Sequence, residues 1–410
     1  MNITGIIAEY NPFHNGHLYQ INKAHKEGAD YIIIIMSGDF MQRGTPAIVD
    51  KYTRTRMALL NGADLVIELP VLFATGSAQY FARGAVSLLD KLNVVDTLCF
   101  GCETDNVTQL LRAVDFLFNE SEEYKKELQV LLKQGISFPK AREKAMQSIL
   151  GDETSFLLSS PNNILAIEYC LALRERNSKI TPLPLKREGQ GYHDLQLNNS
   201  EYPSATAIRR LLIRSISSPV LDQYIPSNII SILHERYHKT FPIVQNDFSA
   251  LLKYKLLLES SNGLMNFADV PTSLSDKIIK NLNLYSNFDS FCQTLKSKDI
   301  TYARINRCLT HILLHITEDT LSFYKSNDYA HYARILGFKS SSVPLLSNIK
   351  AHTEIPLISK MADAFNLISD EVYSQLEHDI LASNIYESVV SERYQKPFQN
   401  EYTQKIVIIP

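Results

Sequence analysis

Short apolar runs alternate with helical stripes along the first half of the chain. The runs are rich in isoleucine, leucine and valine and end in polar or glycine-containing loops, which is typical of buried parallel strands. They occupy 3–8, 31–36, 64–69, 97–100 and 180–185. Between them, 51–60 and 79–89 carry apolar residues at helical spacing. This alternation predicts an α/β fold with a Rossmann-like, doubly wound parallel sheet.

The second half of the chain has a different pattern. Beyond about Val244 the alternation of strands and helices stops, and apolar stripes such as Phe248 and Leu252, or Ile305 and Leu309, indicate helices. A chain of 410 residues exceeds the usual size of one domain. We therefore predict a first domain at 1–240 and a mostly helical second domain at 241–410.

An H-x-G-H element, His14 to His17, follows the first strand directly. Its two histidines are three residues apart, so both imidazoles lie on one face if a helix begins in this loop. A helix start presents unpaired amides and the positive end of the dipole, and it therefore attracts anions. Gly16 lacks a Cβ and lets a ligand approach the backbone. Imidazoles at this point can stabilise charge on an attacked phosphoryl group, which suggests nucleotidyl transfer.

The surroundings of the motif decide whether it is functional. A bare H-x-G-H is more often an ordinary loop and helix start than a phosphate site. Here a buried strand precedes it, and Leu18, Ile21 and Ala24 continue it at helical spacing. This context is what the motif requires, and it favours the functional interpretation.

A second candidate phosphate site is the helix start at 202–210. Ser204, Thr206 and Arg209 combine hydroxyl groups, backbone amides and a guanidinium. The alternative is a plain serine N-cap with surface arginines. The basic loop 186–193, which includes Arg187, could close over a ligand. Gly101, which follows the fourth strand, should face the same crevice as the motif, since ligands gather at the carboxyl ends of parallel strands.

Five blocks of sequence resemble one known family. These blocks are YNPFHNGH at 10–17, SGDFMQRG at 37–44, DLVIELP at 64–70, PNNILAIEY at 161–169 and SATAIR at 204–209. Together they resemble bacterial tRNA(Met) cytidine acetate ligases, which belong to the nucleotidyltransferase superfamily with the H-x-G-H signature. The resemblance is strong over the first half of the chain and more diffuse towards its end.

The resemblance implies a two-step reaction. Acetate and ATP would form acetyl-adenylate and pyrophosphate, and N4 of the wobble cytidine (position 34) of elongator tRNA(Met) would then take the acetyl group, releasing AMP. His14 and His17 would be the catalytic residues. Mg²⁺ would be held by the phosphates, since the sequence shows no dedicated metal cage. The implied ATP-binding residues are Ile7, Ala8, Glu9, Tyr10, Asn11, Pro12, Phe13, His14, Asn15, Gly16, His17, Leu18, Tyr19, Gln20, Gly101, Asn162, Arg187, Ser204, Thr206 and Arg209.

The acceptor base must leave its anticodon stack to react, which suggests a pocket in the protein. We place this pocket near Asp39, Gln42 and Lys51, together with the helical domain. Asp39 and Lys51 could equally be a helix cap and a surface lysine. Two other functions stay open from the residues alone. One is an adenylyltransferase of coenzyme biosynthesis with a small acceptor, and the other is an RNA-binding protein with a structural nucleotide site.

Composition and charge limit the partners and the location that can be expected for this protein. The formal net charge of −3 argues against broad, nonspecific binding of nucleic acid, so an RNA partner needs a local basic patch. The candidates for such patches are Arg174, Arg176, Lys179, Lys186 and Arg187, and Arg304, Arg307, Arg334, Lys339 and Lys350. Five cysteines without a secretory signal indicate reduced thiols, although Cys99 and Cys102 form a C-x-x-C. We expect a cytoplasmic protein with no membrane span and no obligate protein partner.

Overall fold

The structure is a computed structural model that describes residues 1–104, 106–151, 155–186, 205–297 and 300–410. Its strands are β1 (Ile3–Ala8), β2 (Tyr31–Ser37), β3 (Leu65–Leu69), β4 (Thr97–Cys102), β5 (Thr181–Lys186), β6 (Ala333–Lys339), β7 (Leu357–Ile358) and β8 (Val407–Ile409). Its α-helices up to residue 260 are α1 (Asn15–Lys26), α2 (Lys51–Leu60), α3 (Val71–Ala74), α4 (Ala78–Lys91), α5 (Val107–Phe118), α6 (Glu122–Lys133), α7 (Phe138–Leu150), α8 (Ser155–Ser159), α9 (Pro161–Glu175), α10 (Ala205–Arg214), α11 (Ser227–Arg236) and α12 (Ser249–Glu259). The remaining α-helices are α13 (Thr272–Asn281), α14 (Phe288–Leu295), α15 (Tyr302–Leu313), α16 (Glu318–Ser326), α17 (Val343–His352), α18 (Ala364–Leu367) and α19 (Asp370–Tyr394).

One sheet organises the described residues. Its strand order is β5-β4-β1-β2-β3-β6-β7, and β8 pairs with β6. The first five strands run parallel, with Ile6 of β1 level with Ile34 of β2 on one side and with Cys99 of β4 on the other. The chain places β2 and then β3 on one side of β1, and afterwards places β4 on the other side of β1. The predicted Rossmann-like, doubly wound fold is confirmed.

The central strands are buried on both faces. In β2, Ile33 and Ile35 pack into the apolar cluster that includes α4, whereas Ile32 and Ile34 pack into the cluster that includes α1 and α2. All four side chains are fully buried. Successive side chains of a strand point to opposite faces of the sheet, so four consecutive isoleucines are all buried only if helices cover both faces. This is why the strand is a continuous apolar run in the sequence.

The expectation that strands end near residue 244 is wrong. β6 pairs antiparallel with β3, and β7 and β8 pair with β6, so the sheet continues into the last quarter of the chain. β6 was missed because its run, ARILGFK, has a buried arginine at its second position and is broken by Gly337. A Cβ at Gly337 would meet the carbonyl oxygen of Val407, so the glycine allows β8 to approach. The region from 241 is still mostly helical, and the boundary at 240 stays a prediction.

Arg54 ties the carboxyl ends of β1 and β2 together. Its guanidinium is completely buried. It donates hydrogen bonds to the backbone carbonyls of Val49 (2.9 Å), Glu9 (2.7 Å), Ser37 (2.9 Å) and Gly38. The loops that leave the two strands are therefore fixed to one rigid group on α2.

A buried ion cluster joins α2 to β3, β6 and the C-terminal segment. The ammonium of Lys51 lies 2.8 Å from a carboxylate oxygen of Glu68 and 2.9 Å from one of Glu401. Arg334 of β6 pairs with the same two carboxylates, at 2.9 Å to Glu68. Each of these four side chains is at most 4% exposed. Two cations and two anions balance each other, so the charges can be buried without a net charge.

We predict that Arg54→Lys lowers the free energy of unfolding by roughly 3–5 kcal/mol, as measured by urea denaturation. A lysine ammonium cannot reach the four carbonyls that the guanidinium spans, so several buried acceptors lose their donor. Arg56→Lys is the matched control, since Arg56 lies two residues away on the same helix but is exposed, and it should stay within about 0.5 kcal/mol of the parent. Equal urea-denaturation midpoints for the two variants would contradict the conclusion that Arg54 holds the ends of β1 and β2 together.

We also predict that Gly44→Ala destabilises the protein by roughly 2–4 kcal/mol, because it combines backbone strain with overpacking. Gly44 has φ +70°, and a Cβ there would meet the backbone of α15 at Arg307. Gly135→Ala is the control, since it has φ +78° and open space around it, and it should cost only the strain of about 1–2 kcal/mol. A loss in Gly44→Ala no larger than in the control would mean that the 38–47 loop does not pack on α15.

Candidate active site

The H-x-G-H loop leaves the carboxyl end of β1 and enters α1 through a packed aromatic cluster. Tyr10 and Phe13 are buried, and their rings lie 4.8 Å and 5.5 Å from the ring of His17. Tyr10 has φ 48°, which is unusual for a bulky residue and costs conformational energy. Such strain persists only where the surrounding packing enforces it. The loop conformation is therefore imposed by the fold.

His14 is the N-cap of α1, and His17 completes a reciprocal capping arrangement. Nδ1 of His14 accepts a hydrogen bond from the backbone N–H of Gly16 at 3.1 Å. Nδ1 of His17 accepts from the backbone N–H of His14 at 3.2 Å. The two rings stack with centroids 3.7 Å apart and planes 20° apart. Both histidines thus use Nδ1 as the acceptor that serine or glutamate supplies in an ordinary capping box.

These hydrogen bonds determine the protonation pattern of the imidazoles. A ring nitrogen that accepts a backbone N–H carries no proton, so in the neutral form the proton of each ring lies on Nε2. Nε2 of each histidine is therefore a hydrogen-bond donor. Two such donors lie side by side at the positive end of α1. This combination suits a phosphate oxygen that gains negative charge during attack at phosphorus.

Helix α10, the described part of the segment predicted as a helix start at 202–210, lies against the motif loop. Nη1 of Arg209 donates to the carbonyl oxygen of Asn11 at 2.8 Å, and Nη2 donates to Oγ1 of Thr206 at 3.1 Å. The backbone N–H of Asn15 donates to the carbonyl oxygen of Tyr224 at 2.8 Å, which holds the following segment on the same loop. The structure therefore brings Thr206 and Arg209 to the H-x-G-H element. Ser204 and Arg187 lie outside the described residues.

Gly101 and Asn162 lie on the other side of β1, where the strand order reverses. Gly101 belongs to β4, which pairs with β1, and Gln20 of α1 donates to the carbonyl oxygen of Cys99 at 3.1 Å. Asn162 is in the first turn of α9, and its side-chain amide donates to Glu103 at 2.5 Å. Gly101 and Asn162 thus lie near the topological switch point between β4 and β1, where ligands of open α/β sheets bind.

Glu103 is a residue that sequence analysis did not single out. Its carboxylate accepts from the backbone N–H groups of Asn162 at 3.2 Å and Asn163 at 2.7 Å, so it caps α9. In return, Oδ1 of Asn163 accepts from the backbone N–H of Glu103 at 2.8 Å. The cap comes from a residue about sixty positions earlier in the chain, and no local sequence signal could identify it.

The three residues suggested for an acceptor pocket have different surroundings. Oδ1 of Asp39 accepts from the backbone N–H of Lys51 at 2.8 Å, and burial raises the pKa of Asp39 to about 6 while Lys51 and Arg54 oppose that rise. The side chain of Gln42 donates to the carbonyl oxygen of Gly76 at 3.2 Å. Lys51 is neither a surface lysine nor open to a substrate. It is 1% exposed, and the buried ion cluster engages its ammonium.

The arginines proposed for basic patches form ion pairs where the structure describes them. Arg176 pairs with Asp90 and Asp328, and Arg174 pairs with Asp115. The others with ion pairs are Arg304 and Arg307 with Asp269, Arg334 with Glu68 and Glu401, and Lys339 with Asp64. Arg174 and Arg304 are still 40% exposed, and Lys179, Lys186 and Lys350 are exposed, so the two patches stay a prediction.

Three further features concern the described residues. In the ranges that the structure describes, no group of three or more His, Cys, Asp or Glu side chains is arranged to hold a metal ion. All five cysteines are buried as thiols, and burial raises the pKa of Cys99 to about 12. A thiol with a raised pKa is a poor nucleophile at neutral pH. No helix of the described part is long and apolar enough to cross a bilayer.

Comparison with known proteins gives consistent results at the level of sequence. Residues 1–401 match the family described as HIGH Nucleotidyl Transferase. The chain is 42% identical to a tRNA(Met) cytidine acetate ligase of Clostridium perfringens, over 94% of this chain and 95% of the relative. It is 37% identical to the protein of that name in Acetivibrio thermocellus, over the full length of both.

Comparison with solved structures agrees with the comparison of sequences. The chain superimposes on the apo form of Thermotoga maritima TmcAL with a TM-score of 0.94 and 29% identity, over all of both chains. It superimposes on the same protein bound with alpha-thio ATP with a TM-score of 0.91 and 28% identity, again over all of both chains. With the family match over nearly the whole sequence, these results show that the chain belongs to the tRNA(Met) cytidine acetate ligases, a family of HIGH nucleotidyl transferases.

Proposed function

We propose that this enzyme activates acetate with ATP and transfers the acetyl group to N4 of the wobble cytidine, position 34, in the anticodon of elongator tRNA(Met). The observation that carries this proposal is the pair of stacked imidazoles at the start of α1, with Arg209 of α10 hydrogen-bonded to the motif loop and Thr206 beside it. Together they form a site for phosphates with donors on two sides. The names of the relatives supply the acetate and the tRNA.

In the first step, an acetate oxygen attacks the α-phosphorus of ATP, and the bond to the β-phosphate oxygen breaks. The products are acetyl-adenylate and pyrophosphate. The protein needs to supply position and charge stabilisation, with little covalent chemistry. His14 and His17 would donate to the α-phosphate oxygens through Nε2, while Arg209 and Arg187 would offset the charge on the departing pyrophosphate. Gly101 and Asn162 would contact the nucleoside, and Ser204 and Thr206 the outer phosphates.

Mg²⁺ would be held by the phosphates of ATP. Among the described residues no metal-binding cluster competes for it, and Mg²⁺ commonly keeps its waters and binds through substrate phosphates. It would neutralise charge on the β and γ phosphates.

In the second step, the N4 amine of cytidine attacks the carbonyl carbon of acetyl-adenylate. AMP leaves with both electrons of the broken C–O bond, and the amine loses one proton. The cytosine amine is a weak nucleophile because its lone pair is delocalised into the ring. The mixed anhydride compensates for this by making the acetyl carbon strongly electrophilic.

The reaction is tested by incubating the enzyme with ATP and labelled acetate, with and without elongator tRNA(Met). We expect acetate-dependent exchange of pyrophosphate into ATP without tRNA, and label on cytidine when tRNA is present. The same assay with a pantetheine or nicotinate mononucleotide acceptor is the control. Activity on those acceptors combined with none on acetate would overturn the proposal.

We predict that His14→Asn and His14→Ala differ in stability but not in activity. Asparagine keeps an acceptor for the N-cap, whereas alanine should cost about 1 kcal/mol of stability. Both variants remove the Nε2 donor, so both should lower acetate-dependent exchange by about 100- to 1,000-fold. Binding of tRNA, measured by filter retention, should stay near that of the parent in both. If His14→Asn kept full exchange activity, the histidine would be only a helix cap.

A further inference from the structure

A buried tyrosine on α9 has an unused hydroxyl group. Tyr169 is 5% exposed, and the centroid of its ring lies 5.6 Å from that of Phe100 in β4. Its hydroxyl forms no hydrogen bond with any residue that the structure describes. Burying a hydroxyl without a partner costs free energy, because its hydrogen bonds to water are lost. A ligand that accepts a hydrogen bond from Tyr169 would recover part of that cost.

The carboxylate that acts on this hydroxyl is Glu9, directly after β1. Burial raises the pKa of Tyr169, and the negative charge of Glu9 raises it further. The hydroxyl therefore stays protonated at neutral pH and can donate a hydrogen bond to an oxygen that carries negative charge. In the described part of the chain no hydrogen bond joins Tyr169 to Glu9, so the two groups lie near each other without being paired.

Glu9 is held in place but keeps one oxygen available. Its Oε1 accepts from the backbone N–H of Gln42 at 2.8 Å, and Nη1 of Arg54 donates to its backbone carbonyl at 2.7 Å. Its Oε2 accepts no hydrogen bond from the described residues, and the side chain is partly exposed. A carboxylate that is fixed at one oxygen and open at the other can accept a proton from an amine.

Tyr169 and Glu9 lie on the face of the sheet opposite the one covered by α1 and α10. Tyr169 packs into the same apolar cluster as Ile7, and side chains two residues apart in a strand share a face, which places Glu9 with Ile7. Phe13 of the motif loop and Ile208 of α10 pack into the other cluster. In-line displacement puts the attacking and leaving oxygens on opposite sides of the phosphorus. With pyrophosphate beside α10, as proposed, acetate attacks from the side of Tyr169.

We propose that the acetyl group is held between Tyr169 and Glu9, with the Tyr169 hydroxyl donating to the acetyl oxygen and the Glu9 carboxylate accepting the proton of the attacking amine. The inference rests on the proposed function and deepens it. The amine nitrogen bonds to the acetyl carbon, the C–O bond to the phosphate breaks with both electrons leaving on AMP, and one amine proton passes to Oε2 of Glu9. Charge that builds up on the acetyl oxygen is stabilised by the hydroxyl donor.

The first test compares the two half-reactions in Glu9→Gln, which keeps an acceptor for the N–H of Gln42 but cannot take a proton. Acetyl transfer to tRNA should fall by about 100-fold relative to acetate-dependent pyrophosphate exchange, and labelled acetyl-adenylate should stay on the enzyme after tRNA is added. The KM for acetate should not rise, since a negative charge near an anion is removed. Glu27→Gln, exposed at the other end of α1, is the matched control and should leave both reactions unchanged.

The second test is Tyr169→Phe, which decides alone if Glu9→Gln does not fold. It removes a hydroxyl that no described residue uses, so the urea midpoint should not fall, whereas the KM for acetate in exchange should rise about 10-fold because a donor to a charged group is lost. Tyr124→Phe, also buried but on α6, is the control and should leave that KM unchanged. Exchange that is absent from the parent would refute the proposed function. With exchange present, an unchanged KM in Tyr169→Phe, or transfer that falls no further than exchange in Glu9→Gln, would refute the acetyl site.

Discussion

The geometry of the site depends on one buried guanidinium. Carbonyl groups at the carboxyl ends of parallel strands point away from the sheet and need donors when they are buried. Arg54 supplies donors to the ends of both β1 and β2, and Asp39 lies 3.8 Å from its charge. The backbone N–H of Gln42 adds a bond to the carboxylate of Glu9 at 2.8 Å. The motif loop and the loop after β2 are therefore held as one unit, and the strained backbone of Tyr10 can persist.

The buried ion cluster around Lys51 has a structural role different from that of Arg54. A buried set of charges contributes little net stability, but it strongly disfavours arrangements in which one partner is missing. Lys51 and Arg334 can be neutralised only when β6 and the segment of Glu401 are both in place. The cluster thus specifies how the end of the chain joins a sheet that begins at residue 3. Ser383 of α19 also joins the cluster, since it accepts a hydrogen bond from Lys51 at 2.6 Å.

The sequence could predict those features of the fold and the site that depend on residues close together in the chain. The parallel strands and the helix start at His14 follow from apolar runs and from a motif eight residues long. Arg54 and Arg56 show where this fails. Both stand in the helix KYTRTRMALL, and nothing local separates the fully buried one from the exposed one. Their difference arises because β6, β8 and α11 cover one side of α2. Glu103 was missed for the same reason, since the helix that it caps begins about sixty residues further along the chain.

The distribution of charge explains how a protein with a net charge of −3 can meet a polyanion. Many of its arginines pair with carboxylates, so they contribute little to attraction at a distance. Arg56, Arg236 and Lys396 line a cavity together with Asp39, Asp50, Glu387 and Glu401, so carboxylates offset their charge there. Binding of a phosphate at His14 and His17, as proposed, therefore depends on the N-terminus of α1 and on the guanidinium of Arg209.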